Sequence, residues 1–155
     1  MSVGAEKTVG VTPAEHADMI QGRRQTQRLA GFVGTVATGI LASVRVDRPM
    51  KMRRLHTKLL TTGSATQTDV DVKVIRAGAA TAATALNATL DTINTDADGI
   101  AKSSVDWVTD ADNLEPGDIV LIEVTAAPTA GVNLHAQVDM DERYDAPVER
   151  ALLGP

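Results

Sequence analysis

Residues Leu114 to Arg143 read LEPGDIVLIEVTAAPTAGVNLHAQVDMDER, and the period of the second half decides the fold class. Val132, Leu134, Ala136, Val138 and Met140 fall on one parity, while Asn133, His135, Gln137, Asp139 and Asp141 fall on the other. Strict alternation over this length is the pattern of a strand with one buried and one wet face. Upstream, a Glu115-Pro116-Gly117-Asp118 turn leads into the apolar run Ile119 to Val124, a second strand. Pro128 and Gly131 separate the two, which are expected to be neighbours in a sandwich.

Working back towards the N-terminus, the same period recurs. Ala42, Val44 and Val46 alternate with Ser43, Arg45 and Asp47 before Pro49. Met50 and Met52 share one parity and Leu55, Thr57 and Leu59 the other, so the pattern slips by one residue near Arg53-Arg54. An extra residue in a strand is a β-bulge, and one is expected there. After a turn at Thr61-Thr62-Gly63-Ser64, Val70, Val72 and Val74 alternate with Asp69, Asp71 and Lys73. Ala79 to Ile93 suits either period, and its threonines and strand-rich surroundings favour strand. A short strand carrying Trp107 is expected over Ser103 to Val108. Many short strands, with turn signals between them and no βα alternation, predict an all-β, jelly-roll-like sandwich.

The first part of the chain reads differently. Thr12-Pro13-Ala14-Glu15 is a helix start, with Thr12 as cap, Pro13 at the first helical position and Glu15 reaching back. The helix is expected to run past Arg23 towards Leu29 and to end at Gly31. Its apolar face is thin, which suits a helix lying along another subunit. Residues 1–33 are therefore expected to be an extended or helical arm, 34–143 the sandwich, and 144–155 a tail whose Ala151-Leu152-Leu153 patch can dock on a neighbour.

Composition narrows the function. The 155 residues include no cysteine, which excludes disulfides, thiolate metal sites and a cysteine nucleophile. Phe32, Trp107 and Tyr144 are the only aromatics, so the core is built from Ala, Val and Leu. A buried Val or Leu contributes roughly 1.5–3 kcal/mol, and a core of this kind points to a homo-oligomer. No apolar run is long enough to cross a bilayer, and the start lacks the order of a signal peptide, so a soluble protein made in a cytoplasm is expected. A net charge of −5 disfavours nucleic acid as a partner. The basic run from Arg45 to Lys58 lacks interleaved aromatics for base stacking and is expected to meet an acidic partner or the acidic loops of another copy.

Motifs of chemistry are sparse. Asn94, Asp96 and Asp98, followed by Gly99, match the opening of a calcium loop, but Val105 stands where the closing Glu belongs. An acidic, solvated loop is the reading preferred there. His16, His56 and His135 are far apart, and no nucleophile elbow, phosphate cradle or carboxylate pair can be named, so an enzyme is not expected and no cofactor is called for. Arg23, Arg24, Arg28, Arg53 and Arg54 are the candidate partner-binding residues.

Four segments carry a resemblance: Val70 to Gly78, Ala85 to Leu90, Leu114 to Val120 and Ala130 to Val138. Together they resemble small β-sandwich virion proteins of tailed bacteriophages, over roughly half of the chain. The resemblance implies a head decoration or auxiliary capsid protein on the virion surface. Its partner would be the major capsid protein, its state a homo-oligomer with a trimer favoured, and its assembly site the host cytoplasm. The alternative is a carbohydrate- or receptor-binding sandwich of a fibre or tail, which would need exposed rings from Trp107 and Tyr144.

Overall fold

The computed structural model describes residues 26–143. These form ten strands in two antiparallel sheets: β1 (Thr26–Thr35), β2 (Gly39–Arg45), β3 (Met50–Thr61), β4 (Thr68–Ile75), β5 (Ala83–Thr84), β6 (Leu90–Thr92), β7 (Ala101–Ser104), β8 (Asn113–Leu114), β9 (Ile119–Ala126) and β10 (Val132–Glu142). The first sheet runs β1-β10-β3-β7, with β8 also on β3; the second runs β2-β9-β4-β5, with β6 also on β4. The chain crosses from sheet to sheet at six of its nine connections, which makes the all-β, jelly-roll-like sandwich expected from the alternation.

β10 follows the sequence pattern residue by residue. Leu134, Ala136, Val138 and Met140 are fully buried, and the intervening polar side chains lie on the outer face. β10 is also the centre of its sheet, pairing with β1 on one side and β3 on the other. The two halves of the 114–143 stretch do not pair with each other: β9 and β10 stand in opposite sheets, and buried Pro128 with Gly131 carries the chain between them. Alternation reports which face a residue occupies and is silent about which strand lies beside it.

The parity slip in β3 is the bulge. Arg54 pairs with Asp139 and Met52 with Met140, leaving Arg53 as the extra residue. This lets Met50 and Met52 join Leu55 and Leu59 in the core despite their opposite parity. The stretch 79–93 holds only the short strands β5 and β6, and the strand at 101–104 ends before Trp107, which makes an isolated bridge to Leu86.

One segment overturns its expectation. Residues 26–33, assigned to a helix tail and an arm, are part of a ten-residue strand whose register with β10 runs unbroken from Thr26↔Asp141 to Val33↔Leu134. Leu29 is buried, and Gly31 sits where a Cβ would come within 2.7 Å of the Leu41 side chain and 3.0 Å of its carbonyl oxygen. The glycine expected to stop a helix instead lets β1 close against β2 across the sandwich. The helix start at Thr12-Pro13-Glu15, Arg23, Arg24, His16, Tyr144 and the 151–153 patch lie outside the described residues.

Candidate interaction surface

The outer face of the first sheet gathers most of the candidate side chains. Asp139, at its centre on β10, accepts from Gln137 Nε2 at 2.6 Å and sits 2.9 Å from His56 Nε2 on β3 and 3.5 Å from Arg28 Nε on β1. One residue pair further along, Arg53 Nε donates to Asp141 at 2.8 Å. Arg28 and Arg53, expected to reach for a partner, are thus answered within their own chain, because the bulge and the β10 register bring carboxylates opposite them. Arg54 lies exposed on the same strand.

The acidic loops and the basic run also meet inside the molecule. Lys51 stands 3.6 Å from Asp112, and Arg48 stands 3.1 Å from Asp47 and 3.7 Å from Glu142. Arg48, Lys51 and Arg53 of the basic run therefore each have a carboxylate of their own chain within 4 Å.

The Gly117-Asp118 turn is the most elaborate of these sites. Asp118 is 2% exposed; it accepts from the backbone N–H of Ala77 and of Glu115, both at 2.9 Å, and from Arg76 Nη1 at 2.8 Å. Burial alone would raise the Asp118 carboxyl, but the two backbone donors and the guanidinium outweigh it and hold the group below the usual carboxylate range. Arg76 also donates to the carbonyls of Asn113 and Asp110, so one ion pair joins the end of β4 to the loop before β9. This is a structural lock.

The calcium-loop residues do not converge. Asp96 turns to Lys102 Nζ at 2.6 Å and accepts from the Ile93 N–H, while Asp98 accepts from Thr62 N and Oγ1 at 2.9 and 3.2 Å. No group of three or more His, Asp or Glu side chains is placed to hold a metal among the described residues. Trp107 is half-buried against the core, with its Nε1 donating to the Arg53 carbonyl at 3.2 Å, so its ring is a packing element more than a platform. Among the described residues, no helix is long and apolar enough to cross a membrane.

Two features escaped the sequence reading. Phe32 stands 62% exposed on the outer face of β1, beside His135, and Ile40 stands 64% exposed on β2. The signal for Phe32 was present in the parity of Arg28, Ala30 and Phe32, which a helical reading of that segment hides. The second feature is Asp69 on β4, directly opposite Asp91 on β6. Burial first, and then the Asp91 carboxyl beside it, push Asp69 above the usual range.

No family model matches the chain, and no curated protein sequence matches it. Among solved structures, the fold is similar to a chain in the capsid of Ralstonia phage GP4, with a TM-score of 0.50 and 15% identity over 81% of this chain and 87% of that one. It also matches Eiger TNF from S. frugiperda at a TM-score of 0.47 and 12% identity, over 79% of this chain and 94% of that one. A chain of the infectious bursal disease virus VP2 subviral particle matches at a TM-score of 0.26 and 10% identity, over 81% and 43%. The phage match establishes the class by architecture: a jelly-roll-like sandwich of a kind also built into a phage capsid.

Proposed function

We propose that the protein is a structural component of a tailed-phage virion, a capsid decoration protein that binds the major capsid protein and stabilises the assembled shell. The observation that carries this reading is the match along most of both chains to a subunit in the capsid of Ralstonia phage GP4. The charge arrangement supports it: paired charges on the outer face of the first sheet and the half-buried Arg76–Asp118 ion pair suit a rigid building block better than a ligand cleft. Many weak contacts repeated over a symmetric shell hold such a protein by avidity even when each one is poor. The 25 residues preceding β1 are the arm that reaches the shell or a neighbouring decoration subunit.

Quantitative mass spectrometry of purified particles tests the assignment. A copy number equal to that of the major capsid protein, or a symmetric fraction of it, is expected; a handful of copies places the protein at the tail or portal, and absence sinks the virion role. Deleting residues 1–25 is expected to leave the sandwich folded and to abolish shell occupancy. Full occupancy by that variant would remove the arm from the binding role.

A further inference from the structure

The two sides of the sandwich are finished differently. On one side the edges are β7 and β8 in the first sheet and β5 and β6 in the second, strands of only two to four residues. Short edge strands are one of the ways in which proteins stop a sheet from pairing with another chain. The other side is bounded by β1 and β2, of ten and seven residues. β2 is broken by a register shift between Ile40 and Ala42, but β1 keeps one register along its whole length and contains no proline. Its single charged side chain, Arg28, lies on the outer face, and no strand covers its free edge among the described residues.

A second observation falls on the same side. Among the described residues, Phe32 and Ile40 are the two most exposed large apolar side chains, and they lie on the two strands that bound it. Gly31 of β1 packs on Leu41 and Ala42 of β2, so both belong to one continuous margin of the molecule. Backbone hydrogen-bonding groups without a strand partner and exposed apolar side chains coincide there.

We infer that β1 pairs antiparallel with β1 of a second copy, about a two-fold axis at Ala30. This register sets Ala30 against its own counterpart and places each Phe32 across from the other copy's Arg28 on the same outer face. The Arg28 side chain is 72% exposed, and Asp139 lies 3.5 Å away, so its guanidinium can lie against an aromatic ring while keeping its carboxylate. No like charges meet, since the two Arg28 residues stand four positions apart along the paired strands. A two-fold interface of this kind is isologous and closes at two subunits, which joins two five-stranded sheets into one. The unit is then a dimer instead of the trimer that the resemblance favours. The pairing does not depend on the shell role.

Light scattering on the full chain separates the outcomes. The intact protein at micromolar concentration is expected to show twice its 16.3 kDa mass, and Phe32→Arg, which sets a like charge across from the other copy's Arg28, to halve the observed mass while leaving the circular dichroism spectrum unchanged. Val105→Glu changes an exposed apolar residue on the opposite side and is expected to leave the dimer intact. Because the chain has no cysteine, Ala30→Cys adds an independent arm. Oxidation is expected to link it to a covalent dimer, whereas Gly34→Cys, displaced from its own copy in this register, stays unlinked. A monomeric intact protein overturns the inference. So does a dimer that survives Phe32→Arg without cross-linking at position 30. A monomer that dimerises only once residues 1–25 are removed would assign the edge to the chain's own N-terminal segment and likewise overturn it.

Discussion

Asp118 shows how one residue can fasten two parts of the chain. Replacing it with Ala takes the shared acceptor from the backbone N–H groups of Ala77 and Glu115 and the carboxylate from Arg76, and a hydrogen bond to a charged group contributes about 1.5–3 kcal/mol. Asp118→Ala is expected to lower stability by about 2–3 kcal/mol in urea denaturation at pH 7. The pH dependence follows from the depressed folded-state pKa: the folded protein binds this proton less readily than the unfolded chain does. The Asp118 contribution is therefore complete above the ordinary carboxylate pKa of about 3.9 and is lost as pH falls through the folded value, so Asp118→Ala should flatten the acid limb of the stability curve. Asp69 behaves oppositely. Its folded pKa is raised, so the folded state holds the proton more tightly, and stability declines as pH rises through that value. Asp91→Asn removes a like charge directly opposite and is expected to stabilise the protein by about 0.5–1 kcal/mol at pH 7, with the gain vanishing at pH low enough to protonate Asp69. Thermal melts of both proteins at pH 7 and pH 3 check this; equal melting temperatures at pH 7 would mean that the pair does not repel.

At the scale of elements, the sequence is most legible where one face is wet. β10 and the bulge in β3 could be read directly, because the inward positions other than Thr57 carry apolar side chains and the slip changes parity. β1 was not legible. Its exposed positions include Ala30, Phe32 and Gly34 and its inner ones Gln27 and Gly31, so the contrast between faces that reveals a strand is weak there. The strong helix-start residues upstream then extend their influence too far. The partnership of strands was hidden as well, since β9 and β10 are adjacent in sequence but lie in different sheets. What fixes their crossover is the packing of two turns: the Ser64 and Thr129 backbones bond to each other at 2.9 Å, and Gly63, with φ of 76°, leaves no room for a side chain. A Cβ there would stand 2.5 Å from the Thr129 carbonyl oxygen and 2.7 Å from the Gly131 nitrogen. Gly63→Ala is expected to cost about 2–4 kcal/mol, combining left-handed backbone strain with overpacking, measured by chemical denaturation. A loss below 0.5 kcal/mol would show that the two turns can separate freely.

For the whole molecule, the fold class was contained in the alternation, and the candidate surface was not. Arg28, Arg53 and Arg54 were identifiable as a basic group, but the carboxylates that answer the first two lie more than 80 positions away on β10. Only the pairing of strands brings Asp139 and Asp141 to them. Within the acidic segment, Asp112, Asp118 and Glu115 likewise meet Lys51, Arg76 and Arg143 of the same chain. Charge separation along a chain can be settled within a single fold, and net charge alone does not distinguish the two cases.

The register that seats Thr26 beside Asp141 brings the start of the first strand and the end of the last to one pole of the sandwich. Opposed residues of an antiparallel pair lie only about 5 Å apart. A peptide cargo grafted at residue 26 and another at residue 143 would therefore project from the same spot, and a linker of a few residues could splice the two positions into a circular backbone. New ends could then be opened in the turn at Arg76 to Ala79, turning the protein inside its own ring without disturbing a single strand of the first sheet.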